Sequence, residues 1–535
     1  MTAHPAADQV PTPPAEPAES WSLPADLVRR LAARVVAAPG APLDVTHSPL
    51  NGAPVGALPV SVPDDVVGAV ARAREAQRSW AEHSARDRAA VLLRLHDAVL
   101  DRQSEGLDIL QLETGKARVH AFDEIADVGI ATRYYARKGP GMLRDRHPAG
   151  LVPGLTRVTE VRHPKGVVGL ITPWNYPMNL VITDAAPALL AGNAVVLKPD
   201  SQTTFTALWL AQLLADAGLP EGLFAVVHGE GPVLGPSLIQ SVDYVCFTGS
   251  TATGRRIATQ AADRLIGVSL ELGGKNPVYV SDDVDLDRAA EAIVRDCFSN
   301  SGHACVSMER LILHERIADA FLDRFVDRVR RLKLGAALDY TADFGSIASA
   351  AQFDTVRAHV ADAVAKGATV LTGGRPRPDI GPYFYEPTVL DDVPPSAMCY
   401  GQETFGPVVS VYRVGSDAEA IRLANDTPFG LNGSVWCRDR RRGVRLARRI
   451  DVGTVVVNEA YAVGWGSIAA PMGGRKDSGL GRRHAAEGLL RYTEPQSIAV
   501  QRIGLAPLFS RGGEFYSSTF TRALKVTRAI RYPWP

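Results

Sequence analysis

The sequence has no excess of either charge, because 58 Lys and Arg residues are balanced by 58 Asp and Glu residues. No overall electrostatic attraction to nucleic acid or to an anionic membrane is therefore expected. The sequence also lacks any run near the roughly 18–20 consecutive apolar residues that a membrane-spanning helix needs. The apolar stretch 189–197, for example, is interrupted by Gly192 and Asn193. These absences favour a cytoplasmic protein.

The N-terminus lacks the basic and then apolar segment of a secretory signal. Residues 1–24 are instead rich in Pro and Ala. Such a composition buries too little apolar surface to fold. We predict that residues 1–24 form a disordered tail.

Cysteine is scarce: the chain has five, at positions 246, 297, 305, 399 and 437. Their number is odd, they are scattered, and no pair has C-x-x-C spacing. This pattern argues against a disulfide framework and against a structural metal such as zinc, and it fits a reducing cytosol.

At 535 residues the chain is too long for one compact core, so two or three domains are expected. Short apolar runs typical of buried strands alternate with helix-length segments after residue 165. The runs are 166–171, 194–197, 224–227 and 244–247. Strand–helix alternation of this kind predicts an α/β fold with a parallel sheet.

Cys305 follows the flexible Gly302 and precedes the strand-like run Leu311, Ile312, Leu313. The thiol therefore lies where a loop meets a packed element, as catalytic nucleophiles often do. A lone cysteine is more often a small buried apolar residue, however. A catalytic thiol also needs an oxyanion donor, an acceptor for hydride or amine, and a base for hydrolysis.

The loop 172–177 holds Trp174, Asn175 and Tyr176 between two prolines, Pro173 and Pro177. Rigid prolines beside an amide indicate a placed hydrogen-bond donor.

Glu271 lies among the apolar residues Leu270 and Leu272, just before a Gly-Gly turn. Burial would raise the pKa of its carboxyl group, which suits a general base near neutral pH. The segment alone leaves open a second interpretation, in which Glu271 points outward from a half-exposed strand.

Other loops follow predicted strands, where parallel sheets bind ligands. The motif 248–254 (T-G-S-T-A-T-G) opens a helix, and Gly249, Ser250 and Gly254 suit a pyrophosphate at its N-terminus. Alone, this motif is equally a plain strand-to-helix turn. Lys198 ends another strand and can meet a ribose or a phosphate, although most lysines are surface residues.

Together these motifs resemble the aldehyde dehydrogenase superfamily over about residues 25–503. The motifs are P-W-N-Y-P, K-P-D-S, F-T-G-S-T-A-T-G, E-L-G-G-K-N-P, N-S-G-H-A-C, E-T-F-G-P and P-M-G-G-R-K-D-S-G-L-G. The resemblance implies a Rossmann-like NAD(P)-binding domain, an α/β catalytic domain and a small arm that joins subunits into a homodimer or homotetramer. The boundaries it implies are 25–155 with 165–271 for the cofactor domain, 272–480 for the catalytic domain and 156–164 with 481–503 for the arm.

By this resemblance, Cys305 attacks the aldehyde, and the Asn175 amide and the Cys305 N–H bind the oxyanion. Hydride then passes to the nicotinamide, and Glu271 activates the water that hydrolyses the thioester. The resemblance also implies a set of cofactor-binding residues: Thr172, Pro173, Trp174, Lys198, Ser201, Gly249, Ser250, Gly254, Glu403 and Phe405. The presence of Glu271 argues against membership of the acylating branch of the family, in which coenzyme A takes the acyl group.

The cofactor choice is predicted from Ser201. Members of the family specific for NAD often carry a glutamate there, which binds the ribose hydroxyls and repels a 2′-phosphate. Ser201 is small and neutral, so we expect NADP to be accepted at least as well as NAD.

The substrate is predicted from the likeness to bacterial proteins called succinate-semialdehyde dehydrogenases, which favours oxidation of succinate semialdehyde to succinate. Established members of that activity bind the distal carboxylate with two arginines and a serine, but the matching positions here are Thr183, Ser299 and Gly466. The predicted pocket comprises these three with Trp465 and Met472. Either the anion site is rebuilt, for example from Arg475 or His303, or the enzyme takes aliphatic and aromatic aldehydes broadly.

A non-catalytic protein of the same fold is a further alternative, although such chains typically lose the thiol, the glutamate or the asparagine.

Residues 504–535 lie beyond the resemblance and predict a basic amphipathic helix. Packing on a neighbouring subunit and contact with a membrane surface are both open for this extension.

Overall fold

The computed structural model describes residues 22–150, 156–502, 510 and 512–529. The predicted tail 1–24 lies almost wholly outside this part of the chain. The helices of the described part, α1 to α18 in chain order, are Ala25–Ala32, Pro63–Glu82, Ala85–Asp101, Gln103–Thr114, Arg118–Met142, Asn179–Leu190, Thr204–Asp216, Gly231–Ser241, Thr251–Asp263, Leu286–Phe298, Ala318–Arg330, Ala350–Ala365, Met398–Gly401, Asp417–Asn425, Arg440–Ala447, Tyr461–Trp465, Ala485–Leu490 and Gly513–Ala529.

The strands of the same part, β1 to β19, are Leu43–His47, Pro54–Pro59, Thr156–Pro164, Val167–Ile171, Ala194–Lys198, Phe224–Val226, Tyr244–Thr248, Gly267–Glu271, Asn276–Val280, Met308–His314, Thr369–Thr372, Thr388–Asp391, Val408–Val414, Phe429–Gly430, Asn432–Trp436, Thr454–Val457, Arg475–Lys476, Gly479–Leu480 and Thr493–Gln501.

A six-stranded sheet with the order β18-β8-β7-β4-β5-β6 forms the core of the first unit. Its strands are parallel except for β18, which runs antiparallel to β8. Strands β4, β5 and β7 are continuous apolar runs buried on both faces, as a parallel sheet covered by helices requires. The strand–helix alternation and the parallel sheet predicted from the sequence are confirmed.

A second sheet, of seven strands, has the order β11-β12-β13-β10-β9-β15-β16. It is parallel apart from the edge strand β11. The turn after Glu271 carries the chain from the end of β8 in the first sheet to the start of β9 in the second. The thiol loop precedes β10, the neighbour of β9, and the Asn276 Nδ2 donates to the Cys305 carbonyl at 2.7 Å. The cysteine is therefore held at the boundary between the two sheets.

Strand register brings the predicted ligand loops together. Ile171 pairs with Lys198 on one side and with Phe247 on the other, and Thr248 pairs with Glu271. The carboxyl ends of these strands thus form one edge, where open α/β sheets bind ligands.

The predicted arm corresponds in part to a separate two-stranded sheet. β3 and β19 pair antiparallel from Thr493↔Pro164 to Gln501↔Thr156. The earlier part of the predicted segment 481–503 instead contains α17, and Leu489 and Tyr492 are fully buried in the core of the first unit. Burial of these two apolar side chains ties residues 485–492 to that core.

The C-terminal extension contains the helix α18, as predicted. Val526 is 59% exposed on it. Residues 530–535 of the extension lie outside the described part of the chain. No helix of the described part is both long and apolar enough to span a bilayer.

Candidate active site

Cys305 opens onto a cavity of about 180 Å³, and Asn175 lies in the same wall. Helix α5 supplies Asp123 and Asp127 to the lining, and the short helix α16 supplies Tyr461 and Trp465. The lining is predominantly apolar, as expected of a small-molecule site with few polar groups. The thiol and the amide that were predicted to act together are thus brought together.

Cys305 is a half-buried residue, whereas the other four cysteines are buried. Burial, with smaller contributions from the charges of Glu403 and Glu271, raises the pKa of its thiol to about 12. The thiol is therefore protonated at neutral pH, and its proton must leave during attack on a substrate.

The side chain of Asn175 is 3% exposed and donates from Nδ2 to the His303 carbonyl at 3.0 Å. Asn300 Nδ2 donates to the same carbonyl at 3.2 Å and to the Asn175 carbonyl at 3.1 Å. Since an amide nitrogen carries two hydrogens, one Asn175 N–H remains for a ligand. The loop before the cysteine and the loop of Asn175 are thereby joined.

A buried ion pair anchors the Asn175 loop from beneath. Lys116 Nζ contacts the Glu124 carboxylate and donates to the Asn175 carbonyl at 2.8 Å. Glu124 Oε2 accepts from the N–H groups of Met178, at 2.9 Å, and Asn179, at 3.1 Å. Neither member of this pair was singled out from the sequence, since a lysine and a glutamate eight residues apart carry no distinctive signal.

Glu271 ends β8 with a side chain that is 3% exposed. Neither carboxylate oxygen has a hydrogen-bond partner in the described part of the chain. Burial raises its pKa to about 7, although the positive charges of Arg483 and Arg491 oppose the shift. The outward-pointing alternative for Glu271 is therefore wrong, and the carboxyl group is buried as the sequence predicted.

A second cavity, of about 570 Å³, runs along the carboxyl edge of the first sheet. Seven of the residues predicted to bind the cofactor line it: Thr172, Pro173, Trp174, Lys198, Ser201, Gly249 and Ser250. Ser250 caps α9, and its hydroxyl accepts from the Thr253 N–H at 3.3 Å. The free N–H groups of the first helical turn and the nearby Lys198 fit a pyrophosphate and a ribose.

Gly254 does not line this groove. It lies on the face of α9 that packs against Leu272, where a Cβ would approach the Leu272 side chain to 2.5 Å. Close packing of α9 against Leu272 therefore accounts for the glycine at position 254 of the motif 248–254.

Glu403 and Phe405 also lie outside the groove lining, on the side of the cysteine. Glu403 Oε1 accepts from the Gly274 N–H at 2.8 Å, and burial raises its pKa to about 8. The Phe405 ring meets the Trp174 ring edge-on at 5.5 Å, and the His303 ring lies 4.9 Å from Trp174. Burial lowers the pKa of His303 to about 3, so this histidine is a neutral member of an aromatic cluster with Trp174 and Phe405.

The structure brings only part of the predicted substrate pocket together. Trp465 and Gly466 line the cavity beside Cys305, but Thr183, Ser299 and Met472 do not. Thr183 is fully buried and donates to the Asn179 carbonyl of its own helix, whereas Met472 packs with Ala304 and Val306. Ser299 is buried at the start of a 3₁₀ turn.

The residues proposed for a rebuilt anion site do not reach this cavity. Arg475 lies in β17 and pairs with Asp451 at 3.2 Å. His303 contacts Trp174 and Phe405 instead.

The sequence analysis did not predict the part of the cavity lining that helix α5 supplies. Asp123, Ala126, Asp127 and Ile130 line the cavity from α5. Their spacing of three and four residues places them on one helical face, but the same spacing describes any packed helix.

Two mostly parallel sheets, one with a groove at its carboxyl edge, place the protein in the α/β class with a Rossmann-like first unit. The chain belongs to the aldehyde dehydrogenase family, whose model matches residues 40–498. The expected family and fold are confirmed.

Individual relatives cover nearly the whole chain. A protein of Mycolicibacterium smegmatis, provisionally named succinate-semialdehyde dehydrogenase [NADP(+)], is 50% identical over 90% of this chain and 93% of its own. The crystal structure of an E. coli NADP-dependent enzyme is 33% identical with a TM-score of 0.83 and covers 88% of this chain and 99% of that one. Betaine aldehyde dehydrogenase from Staphylococcus aureus, in complex with NAD+, is 29% identical with a TM-score of 0.84 over 90% of this chain and 97% of that one.

Proposed function

We propose that this enzyme oxidises an aldehyde to a carboxylic acid with NADP+ or NAD+, using Cys305 as the nucleophile. The observation that carries the proposal is that the thiol and the Asn175 amide line one cavity. Formation of NADPH with succinate semialdehyde, hexanal and benzaldehyde, with a Cys305 variant as control, tests it.

In the proposed reaction, the Cys305 sulfur forms a bond to the aldehyde carbon while the thiol proton passes to water. The Asn175 Nδ2 and the Cys305 N–H stabilise the resulting oxyanion. NAD(P)+, when bound in the groove beside Trp174, supplies the acceptor for the hydride that leaves the thiohemiacetal carbon. A thioester with Cys305 remains.

Glu271 then takes a proton from a water molecule, whose oxygen attacks the thioester carbon. The carbon–sulfur bond breaks, the Cys305 sulfur takes up a proton, Glu271 releases the proton it accepted, and the acid leaves. The sum is aldehyde, NAD(P)+ and water converted to carboxylate, NAD(P)H and protons. The buried carboxylate of Glu271, which has no hydrogen-bond partner among the described residues, and its raised pKa of about 7 support this role.

Two substrate classes have separate support. The names of relatives at about 50% identity support succinate semialdehyde. The cavity supports the broader aldehyde range, because no Lys or Arg is among its lining residues to pair with a distal carboxylate.

A carboxylate in the groove is expected to affect the preference between NADP+ and NAD+. Ser201 is neutral, but Glu230 from the next loop approaches it, with Oε1 3.4 Å from the Ser201 hydroxyl. We expect Glu230→Gln to raise the ratio of kcat/KM for NADP+ to that for NAD+ by about tenfold, ~1.4 kcal/mol, since a carboxylate repels a 2′-phosphate. Initial rates with both cofactors measure this ratio.

Glu221→Gln, an exposed change outside the groove, is the matched control and is expected to leave the ratio unchanged. A wild-type preference for NAD+ above about tenfold would contradict the expectation from Ser201.

We also propose that β3 and β19 form the arm that joins subunits. An isolated two-stranded sheet is marginally stable in water. On β19, Ile498 and Val500 are 45% and 53% exposed.

Replacing both Ile498 and Val500 by Asp is expected to shift the protein from dimer or tetramer to monomer, because two buried charges would oppose the contact between subunits. Light scattering after gel filtration measures the mass. An unchanged mass would refute this role for the arm.

A further inference from the structure

Helix α18, Gly513–Ala529, lies beyond the match to the aldehyde dehydrogenase family, which ends at residue 498. No residue of this helix lines the cavity beside Cys305 or the groove along the first sheet. Its side chains are nevertheless sorted by polarity around the helix, as in helices that lie against an apolar surface. The helix therefore has a property that aldehyde oxidation does not explain.

One face of α18 is apolar and partly exposed. Tyr516, Phe520 and Leu524 recur every four residues, so their side chains share one side of the helix. Phe515 and Val526 widen this face to about half of the circumference. The exposed fractions are 40% for Phe515 and 59% for both Leu524 and Val526. Burial of side chains of this size is favourable, so the face fits an apolar surface.

The polar side of α18 is cationic. Arg522 lies four residues before Val526, at one border of the apolar face. Arg528 lies four residues after Leu524, at the other border, and Lys525 lies on the opposite side of the helix. None of these three cations has an acidic partner among the described residues. A single acid in the first turn opposes them, so the helix is positive although the whole chain is neutral.

This combination of an apolar face with cations at both borders fits the surface of an anionic bilayer. Arginines beside the apolar face can extend their guanidinium groups to the lipid phosphates while the apolar side chains enter the acyl region. In a pair of identical helices, the cations at the borders would repel those of the partner. A nucleic acid would pair with the cations but would leave the apolar face in water.

We propose that α18 binds the protein to the surface of an anionic phospholipid membrane and lies in the plane of that surface. Leu524 and Val526 enter the acyl boundary, and Arg522 and Arg528 contact the headgroup phosphates. The contact is peripheral and reversible, because one amphipathic helix of 17 residues supplies it. The membrane site does not depend on which aldehyde the enzyme oxidises.

Sedimentation of the full-length protein with lipid vesicles tests the proposal. We expect the partition coefficient for vesicles with about 30% phosphatidylglycerol to be at least about tenfold above that for pure phosphatidylcholine. Combining Arg522→Gln, Lys525→Gln and Arg528→Gln is expected to remove this difference. Combining Leu524→Gln and Val526→Gln is expected to lower binding to the anionic vesicles at least about tenfold. Both variants should keep the wild-type unfolding temperature, because the changed side chains are exposed.

A second exposed basic segment provides the matched control. Arg440→Gln and Arg441→Gln on α15, combined with Arg448→Gln directly after it, remove the same number of charges from exposed positions. This control is expected to change vesicle binding less than about twofold. An equal loss of binding in the control, or equal binding of the wild-type protein to both kinds of vesicle, would overturn the proposal. A change of mass in light scattering caused by the α18 variants, without vesicle binding by the wild type, would assign the helix to a contact between copies instead.

Discussion

Replacing Cys305 by alanine is expected to lower kcat/KM for every aldehyde by at least about 10⁴-fold, ~5.5 kcal/mol of transition-state stabilisation. The reason is that the covalent path needs a nucleophile in the cavity wall, and the other four cysteines are buried elsewhere. Initial rates of NADPH formation measure the loss. Binding of NADP+ is expected to persist, because Cys305 is not among the residues that line the groove.

Cys437→Ser is the matched control for this change. Cys437 is buried and donates from Sγ to the Asp439 carbonyl at 3.1 Å, a contact that a serine hydroxyl can replace. The control is expected to retain most of the wild-type activity. If Cys305→Ala kept more than about one hundredth of the wild-type kcat/KM, the nucleophile would have to be another group.

The backbone of the site could be predicted because its signals are local. A run such as 244–247 is a buried strand by composition alone, and β7 indeed spans Tyr244–Thr248. Loops that follow neighbouring parallel strands meet at one edge by geometry, so the groove followed from strand order. Cys305, between a glycine and an apolar run, was identified in the same way.

The side-chain walls could not be predicted, because they depend on the rotation of helices about their axes. Thr183 was expected in the substrate pocket, yet the face of α6 that carries it is buried and its hydroxyl bonds to Asn179. Asp127 was overlooked, since one acid on a long helix is ordinarily solvated. Only the tertiary contact with Trp465, 338 residues away in sequence, places it in the cavity.

The cofactor loop shows the same limit. Ser201 was interpreted alone, as the neutral residue at a position where a carboxylate would exclude a 2′-phosphate. The structure adds Glu230, which comes from the N-cap of α8 and meets the Ser201 hydroxyl. A carboxylate from a different loop can therefore lie beside Ser201. The residue at position 201 alone does not predict that charge.

Glu271→Gln is expected to uncouple the two halves of the reaction. Hydride transfer does not use this carboxylate in the proposed scheme, so rapid mixing should still produce a burst of NADPH of up to one equivalent per site. Steady-state kcat is expected to fall by about 10²–10⁴-fold, since thioester hydrolysis loses its general base.

Where hydrolysis limits the wild-type rate, kcat should fall about tenfold per pH unit below about 7, because the raised pKa of Glu271 leaves the carboxyl group protonated there. Glu487→Gln, at an exposed position of α17, is the matched control and should keep both burst and turnover. Mass spectrometry of the quenched variant should find the acyl group on Cys305. Loss of the burst together with turnover would instead assign Glu271 to the thiol proton, and full turnover would remove it from the mechanism.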